Sequence, residues 1–468
     1  MLVNLYVKLM ITSKYYNHPI FTLPVVNSRV YVVSDPSIAA AVQRTKTLSF
    51  NPIIPVVTQR VFGFDDAAKS IIAAGIDRDS ANGSRGFYPE MHDMVYGLLA
   101  PGDSLNDLTL SAVKEFAAEL EKYSETLKAA EFGSVGKVED LLLWFKHVVT
   151  VATARFVFGP HNPITRIPQL EEAFWDFDHG IPGLLLGFLP QWTARKAFFA
   201  REALVRAYVR YLEEGSYMQA CDLIQRRVKI EEKHGFTTDS IARSELSFLF
   251  AGIVNTTITS FWMALHTFAR PELLQEVREE LEKCVDEIKG DQKIKRISVE
   301  RIKNECPLLF STYRETLRLQ SDIFSSRAVR ADTILAGQYF LKKDSVLLIS
   351  GGIMHQLKNV WGDDADDFNP RRFMELTRSK DLHPAAFRAF GGGSTLCPGR
   401  HFAANEILVF VALIILQFEF QPTAGRELKV PGKQDDVLPA HILEPENIVE
   451  VKIMQRANWE DVSWETTL

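Results

Sequence analysis

The chain has 468 residues, 46% of them hydrophobic and 24% charged, with a formal net charge of −6. That composition is ordinary for a globular protein and offers no basic footprint for nucleic acid. Cys221, Cys284, Cys306 and Cys397 lie far apart, which excludes a disulfide framework and a CxxC pair and fits a reduced compartment. The histidines are scattered and form no HExxH pattern.

Residues 1–12 read MLVNLYVKLMIT, apolar but interrupted by Asn4 and Lys8. A membrane span needs roughly 20 apolar residues, so no complete anchor is expected in the N-terminal segment 1–28. The layout of a cleaved signal peptide is missing too, and an amphipathic segment on a membrane surface is the alternative. Residues 21–25 and 29–34 are β-rich runs around Val26-Asn27-Ser28, a hairpin signal. Asp35-Pro36 opens a helix, Asp as cap and Pro at the first position. Residues 51–85 are weakly patterned and predict loops and short helices over a ligand site. Apolar periodicity then predicts helices over 104–126, 138–158, 169–177, 191–214 and 219–234.

Residues 239–270 form the longest pattern, between an acidic cap at Asp239 and Pro271. At about 1.5 Å per residue this helix spans close to 50 Å. Its middle, 248–265, is apolar nearly all round, which predicts burial. Helices over 272–284 and 298–319 follow, then strand, turn at Gly337 and strand over 333–350, and a last helix over 400–417. No repeat or linker divides the chain. The expectation is one mainly α domain, 1–468, with a small β-region.

Phe390-Gly391-Gly392-Gly393-Ser394-Thr395-Leu396-Cys397-Pro398-Gly399-Arg400 is a glycine-rich loop that runs into the last helix. Three glycines let the backbone take positive φ and lie close against a flat ligand. Unpaired amides at the helix start favour an anionic sulfur on Cys397. Such a thiolate can ligate haem iron; a buried structural cysteine is the alternative. In the long helix, the run from Ala251 to Ser260 has five polar residues among its last six. Gly252 and Thr256 are four apart and share a face. Glycine there lets a flat cofactor or diatomic ligand approach the backbone, and Thr256 adds a hydroxyl. Alternatively the hydroxyls simply bond back to carbonyls one turn earlier. Glu315 and Arg318, three apart, can pair on one helix face. Alone, such a pair is commonly a surface ion pair of little value.

Together, Phe390-x-x-Gly393-x-x-x-Cys397-x-Gly399, Glu315-x-x-Arg318 about 80 residues earlier, and Phe368-Asn369-Pro370-Arg371-Arg372-Phe373 between them resemble the cytochrome P-450 (haem-thiolate monooxygenase) family. The resemblance runs from about Arg29 to the C-terminus. It implies the mainly α cytochrome P-450 fold and haem b, with Cys397 as the axial iron ligand. Phe390, Gly393, Gly399 and Gly252 are then cofactor-binding residues, Phe390 packing on the proximal face and tempering electron donation by sulfur. Arg327 is implied on a haem propionate, which suits a bidentate guanidinium; an Arg in solvent is the alternative. Arg371 or Arg372 completes a structural triad with Glu315 and Arg318, and the Pro-x-Arg-Phe frame selects Arg372. Thr256 and Asn255 occupy the positions from which the family relays protons.

Some positions depart from the family pattern. Asn255 stands for the usual acid, Ile253 for a second glycine, and Thr395 for the basic residue two before the cysteine. No Trp-x-x-x-Arg occurs in the helix near Ser104. Asn255 and Thr395 resemble the steroid 7α-hydroxylase and prostacyclin synthase subgroup. The other three cysteines read as buried hydrophobes.

The activity implied is insertion of one oxygen atom from O2 into a hydrophobic steroid, terpenoid or other secondary-metabolite substrate. Electrons come from NADPH through NADPH–cytochrome P-450 reductase. Apolar residues near Phe248–Phe250 are the candidate pocket lining. Alternatives are a haem-thiolate isomerase or dehydratase acting on a peroxide without a reductase, and a non-catalytic haem or lipid binder. The resemblance also implies association with the endoplasmic reticulum membrane. Without a transmembrane helix in the chain, a cytoplasmic or peripheral place is the alternative.

Overall fold

The structure, a computed structural model, describes residues 18–25, 28–77, 85–128, 136–288, 294–379, 382–425, 427–434, 441–460 and 462–468. The expectations for residues 1–12 and for the Val26-Asn27 turn lie outside them.

Strands β1 (Ile20–Val25) and β2 (Ser28–Val33) pair antiparallel and lead into α1 (Pro36–Arg44). As expected, the Asp35 carboxylate caps α1, accepting from the amides of Ser37 and Ile38 at 2.8 and 3.0 Å, with Pro36 at the first position. The short strand β3 (Leu48–Ser49) and several brief helical turns precede α2 (Phe87–Leu98), α3 (Asp103–Lys128), β4 (Lys137–Asp140) and α4 (Leu141–Phe158). Then come α5 (Gln169–His179), α6 (Arg195–Glu213), α7 (Asp222–Lys233) and α8 (Thr238–Phe268). The chain continues through α9 (Pro271–Lys283), β5 (Val285–Glu287), β6 (Ile294–Ser298) and α10 (Pro307–Gln320). Strands β7 (Phe324–Val329), β8 (Thr333–Leu335), β9 (Tyr339–Leu341) and β10 (Val346–Ser350) follow. Last are α11 (Arg400–Gln417), β11 (Phe418–Pro422), β12 (Glu450–Gln455) and β13 (Ser463–Thr467).

The largest sheet has the order β1-β2-β10-β7-β3, with β10 parallel to β2 and the other pairs antiparallel. It joins the start of the chain to a segment more than three hundred residues later. Two three-stranded sheets, β11-β12-β4 and β13-β6-β5, and the hairpin β8-β9 complete the β-structure.

Several element boundaries differ from the expectations, each for a local reason. Residues 137–140 pair with β12, so α4 starts only at Leu141, capped by Asp140. The helix expected over 298–319 breaks at Cys306, whose backbone (φ −114°, ψ 69°) has left the α region that a following proline disfavours. Pro307 restarts the helix, and the Glu280 carboxylate accepts the free amides of Leu308 and Leu309 at 3.0–3.2 Å. The pattern over 333–350 separates into the β8-β9 hairpin and β10, which belongs to the large sheet. Helix α2, with Pro89 inside it, was not among the expected helices. Pro89 sits in the first turn, where its missing N–H costs nothing.

Helix α8 organises the core. It has 31 residues, which at 1.5 Å each is about 47 Å. It packs against α4, α6, α10 and α11 within one apolar cluster. Its cap is Thr237, whose hydroxyl accepts the Ser240 amide at 3.2 Å, rather than Asp239. Asp239 lies one residue inside and pairs with Arg243 at 2.7 Å. Helices α4, α8 and α11 are long and apolar enough to cross a membrane, but 83%, 72% and 72% of their apolar windows is buried inside the protein. Their apolar faces therefore serve as core.

Removing one N-cap hydroxyl costs about 1 kcal/mol. Thr237→Ala should lower the thermal midpoint accordingly while Thr237→Ser keeps it. Equal midpoints for all three proteins would assign the start of α8 to other contacts.

Candidate active site

Helix α8, the end of the glycine-rich loop, the start of β7 and the first turns of α11 enclose a cavity of about 450 Å³. Of the residues singled out from the sequence, Gly252, Asn255, Thr256, Arg327, Phe390, Cys397 and Gly399 all line it. Gly393 does not: it turns the loop at φ +64°, and a side chain there would meet Gln43 of α1. Phe248 lines the cavity, whereas Leu249 is buried away from it and Phe250 packs on Phe62 and Phe177. Val95, Leu99, Leu108 and Ile442 make the remaining wall largely apolar.

The loop is tied by its own backbone. The Gly391 amide donates to Arg388 O and the Cys397 amide to Phe390 O, both at 2.9 Å. The Tyr96 hydroxyl of α2 donates to Leu396 O. Burial raises the Cys397 thiol above its ordinary range, while the amides of Gly399 and Arg400 and the Arg400 charge pull the other way. The helix start thus points its N–H groups at the sulfur, as the sequence implies.

On α8, a Cβ added at Gly252 would meet only Thr153 of α4, at an ordinary 3.6 Å. The threonines divide by role. Thr257 returns its hydroxyl to Ile253 O at 2.8 Å, as a packing residue does. Thr256 reaches across to α11 and donates to Glu406 Oε2 at 3.3 Å. Asn255 Oδ1 accepts the backbone amide of Ile442 at 3.2 Å.

A second cluster gathers positive charge. Arg327 is 3% exposed and donates to Ser326 O and to the Thr395 hydroxyl, each at 2.7 Å. Thr395 therefore gives up its hydroxyl to the guanidinium from β7. Arg388 is equally buried, and its Nε and Nη2 have no hydrogen-bond partner among the described residues. Burial and the charge of Arg327 depress Arg388 to about 10. Neither guanidinium meets a carboxylate among the described residues. Two buried cations without a carboxylate partner among the described residues, beside a cavity lined by a cysteine, fit a ligand that carries carboxylates and an iron. A haem meets that description.

Glu315, Arg318 and Arg372 come together behind the loop. Arg318 grips the Glu315 carboxylate with Nε and Nη2, both at 2.8 Å, and Arg372 Nε reaches it at 3.1 and 3.2 Å. The Asn369 amide adds a contact at 3.0 Å. Arg371 instead points outward and pairs with Glu276. All three triad side chains are at most 4% exposed.

Reading the sequence alone missed Glu406 and Arg388. Each was signalled: Glu406 is the one ionisable residue between Phe402 and Gln417, and Arg388 interrupts Ala385-Ala386-Phe387 and Ala389-Phe390. A lone charge in an apolar run requires a partner or a function.

A helical body with small sheets, built around a cysteine loop facing a long buried helix, is the architecture of a haem-thiolate enzyme. The sequence profile described as Cytochrome P450 matches residues 173–446. The chain is 30% identical over 462 residues to "Cytochrome P450 monooxygenase nodJ" of Hypoxylon pulicicidum, covering 96% of this chain and 85% of that protein. It is 28% identical over 304 residues to "Cytochrome P450 7A1" of Sus scrofa, covering 60% of this chain and 58% of that protein. A third relative, "Bifunctional cytochrome P450/NADPH--P450 reductase ALT2" of Alternaria alternata, is 33% identical over 187 residues, 40% of this chain and 16% of that protein. The chain belongs to the cytochrome P450 family. It is a monooxygenase, and its cofactor is haem.

Removing Glu315 leaves the buried Arg318 guanidinium without a carboxylate, while Arg372 keeps Asp364 at 2.9 Å, a loss of roughly 3–5 kcal/mol. Glu315→Ala should yield protein that fails to retain haem, seen as a low ratio of Soret to protein absorbance. A haem-loaded variant with an unchanged thermal midpoint would remove the triad from the folding core.

Proposed function

We propose that residues 1–468 form one cytochrome P450 domain that inserts one oxygen atom from O2 into an apolar, polycyclic steroid- or terpenoid-like substrate. Electrons are drawn from NADPH through a separate reductase. The observation that carries this reading is the convergence of the Cys397 sulfur and the Thr256 hydroxyl on one apolar cavity. The fused reductase in the Alternaria relative supports the choice of electron donor, and the Sus scrofa relative supports the subgroup.

When bound, the haem supplies dioxygen activation and transfer of one oxygen atom. The chain does the rest. Cys397 would hold the iron through sulfur, and the amides of Gly399 and Arg400 stabilise negative charge on that sulfur. Phe390 packs beside it. Arg327 would hold a carboxylate of the cofactor from the cavity wall, and the unpartnered Arg388 guanidinium would add its charge from behind it. Gly252 keeps the α8 surface low over the cavity, and Thr256 Oγ1 presents a proton there. Phe248, Leu99 and Ile442 exclude water and orient an apolar substrate. Glu315, Arg318 and Arg372 fix the segment that carries the loop.

Cys397→His should lose the thiolate-type spectrum of the reduced, CO-bound protein; an unchanged spectrum would reject the sulfur ligand. Thr256→Ala should keep haem and the spectral shift with a steroid and terpenoid panel. It should nevertheless consume NADPH and release hydrogen peroxide in place of product. Product formed at the wild-type ratio to NADPH would move proton delivery elsewhere. Product formed by the wild type from a peroxide without reductase would favour an isomerase.

A further inference from the structure

The strap 441–444 reads His441-Ile442-Leu443-Glu444 and brings Ile442 to the cavity wall between two ionisable side chains. His441 Nε2 stands 3.2 Å from Oδ1 of Asp178, a residue of α5 that is 1% exposed. Neither Asp178 oxygen accepts an aligned hydrogen bond among the described residues, so the pair rests on charge. The other ring nitrogen, Nδ1, lies 2.6 Å from Ile442 O. A neutral ring that donates from Nδ1 would turn the Nε2 lone pair toward the carboxylate; only the imidazolium is attracted on both sides. Burial opposes that charge, but Asp178 and the Ile442 carbonyl outweigh it and raise the ring above the ordinary histidine range.

The far end of the strap is held differently. Lys146 of α4, 5% exposed, lies 2.7 Å from Glu444 Oε1 and 4.4 Å from the centre of the Trp175 ring. His179 Nε2 of α5 is 3.1 Å from the same Glu444 oxygen. Asp178, His179 and Glu444 bring ligand atoms within 4.8 Å of one another, but the Lys146 ammonium already stands beside Glu444 and His179. Burial resists ionisation of Glu444, yet His179 and Lys146 hold it at about 2, so this end stays charged through the neutral range. From α8 the strap meets the Asn255 amide and the Trp262 indole, which do not titrate near neutral pH.

We propose that His441 and Asp178 form a charge-dependent latch that positions Ile442 against an apolar substrate, so that substrate affinity falls as pH rises. This regulation rests on the haem-thiolate reading of the cavity. Neither residue lines the cavity, so both act through Ile442 as positioning residues. The sign follows from the partner. Below about 6.5 the ring is charged even in an unfolded chain, and the latch is whole. As pH rises through the raised value, Nε2 loses its proton. Asp178 is then a buried carboxylate without a cation, which is costly. The strap gives way at 441–442 while Glu444 keeps Lys146.

The test uses the haem-loaded full chain between about pH 6 and 9, on either side of the histidine range. Hydrogen exchange of peptides covering 441–444, corrected for the intrinsic rate, needs no substrate. Protection should fall with rising pH in the wild type, be independent of pH in His441→Gln and be low throughout in Asp178→Asn. Affinity for the panel steroid or terpenoid that shifts the haem band most should fall roughly threefold to tenfold over that range in the wild type. It should stay flat in both variants. Ile442→Ala should keep the pH-dependent exchange and lose the pH dependence of affinity. His179→Gln should keep the wild-type profile, since His179 pairs with Glu444. Wild-type exchange or affinity that does not change with pH would overturn the proposal and leave the haem reading intact. So would a profile that survives in His441→Gln or vanishes in His179→Gln. A wild type without a thiolate-type spectrum when reduced and CO-bound would reject the haem reading, and the exchange profile would still decide the latch. Should Asp178→Asn fail to fold, His441→Gln and the wild type carry the test.

Discussion

The structure depends on one buried carboxylate. Glu315 lies at 0% exposure and accepts from two guanidinium groups and a backbone amide at once. The contacts propagate. Arg318 also donates to the carbonyls of His355, Ala365 and Asp367. His355 Nδ1 donates to Ser321 O and its Nε2 accepts the Arg388 amide at 2.8 Å, so the ring is neutral, and burial holds it near 3. Arg388 begins the cysteine loop and its carbonyl takes the Gly391 amide. From Glu315 through Arg318 and His355 to Arg388 the path is thus a chain of hydrogen bonds among buried groups, and it passes to the half-buried Cys397 through the backbone of the loop.

Burial also decides the character of the cavity. Its wall is apolar except at a few points, and those points carry opposite needs. Arg327 and Arg388 are cations held away from solvent and from carboxylates, whereas Glu406 is an acid held away from cations. Each is strained toward its neutral form by desolvation. Arg327 and Glu406 thus give the cavity an uneven electrostatic lining, positive beside the loop and acidic beneath Thr256, while Arg388 adds its charge from behind the wall.

Most of the helical skeleton was legible in the sequence because its apolar residues recur at helical spacing. The bounds of α11 and the cap of α1 were read directly. Strands were harder. β4, β11 and β12 form one sheet from segments about three hundred residues apart, and no local pattern announces such pairing. The site was legible where a residue type is rare in its setting, as with Cys397 after three glycines. It was illegible where a contact joins two helices. Nothing in the alternation of α8 says that Thr256 meets α11, or that Asn255 meets Ile442. Helix ends were misread where an apolar pattern crosses a proline, as at Pro307.

The segment around Ile442 is anchored to α8 through its main chain. Asn255 Oδ1 holds the Ile442 amide, and the Trp262 indole donates to Leu443 O at 2.9 Å. Neither anchor reads a side chain of the strap. The Ile442 side chain, meanwhile, forms part of the cavity wall. Position 442 is therefore free to vary while its backbone stays put. A lineage of such enzymes can reshape the chamber by exchanging this one residue, and drift toward new substrates need not disturb the frame that carries it.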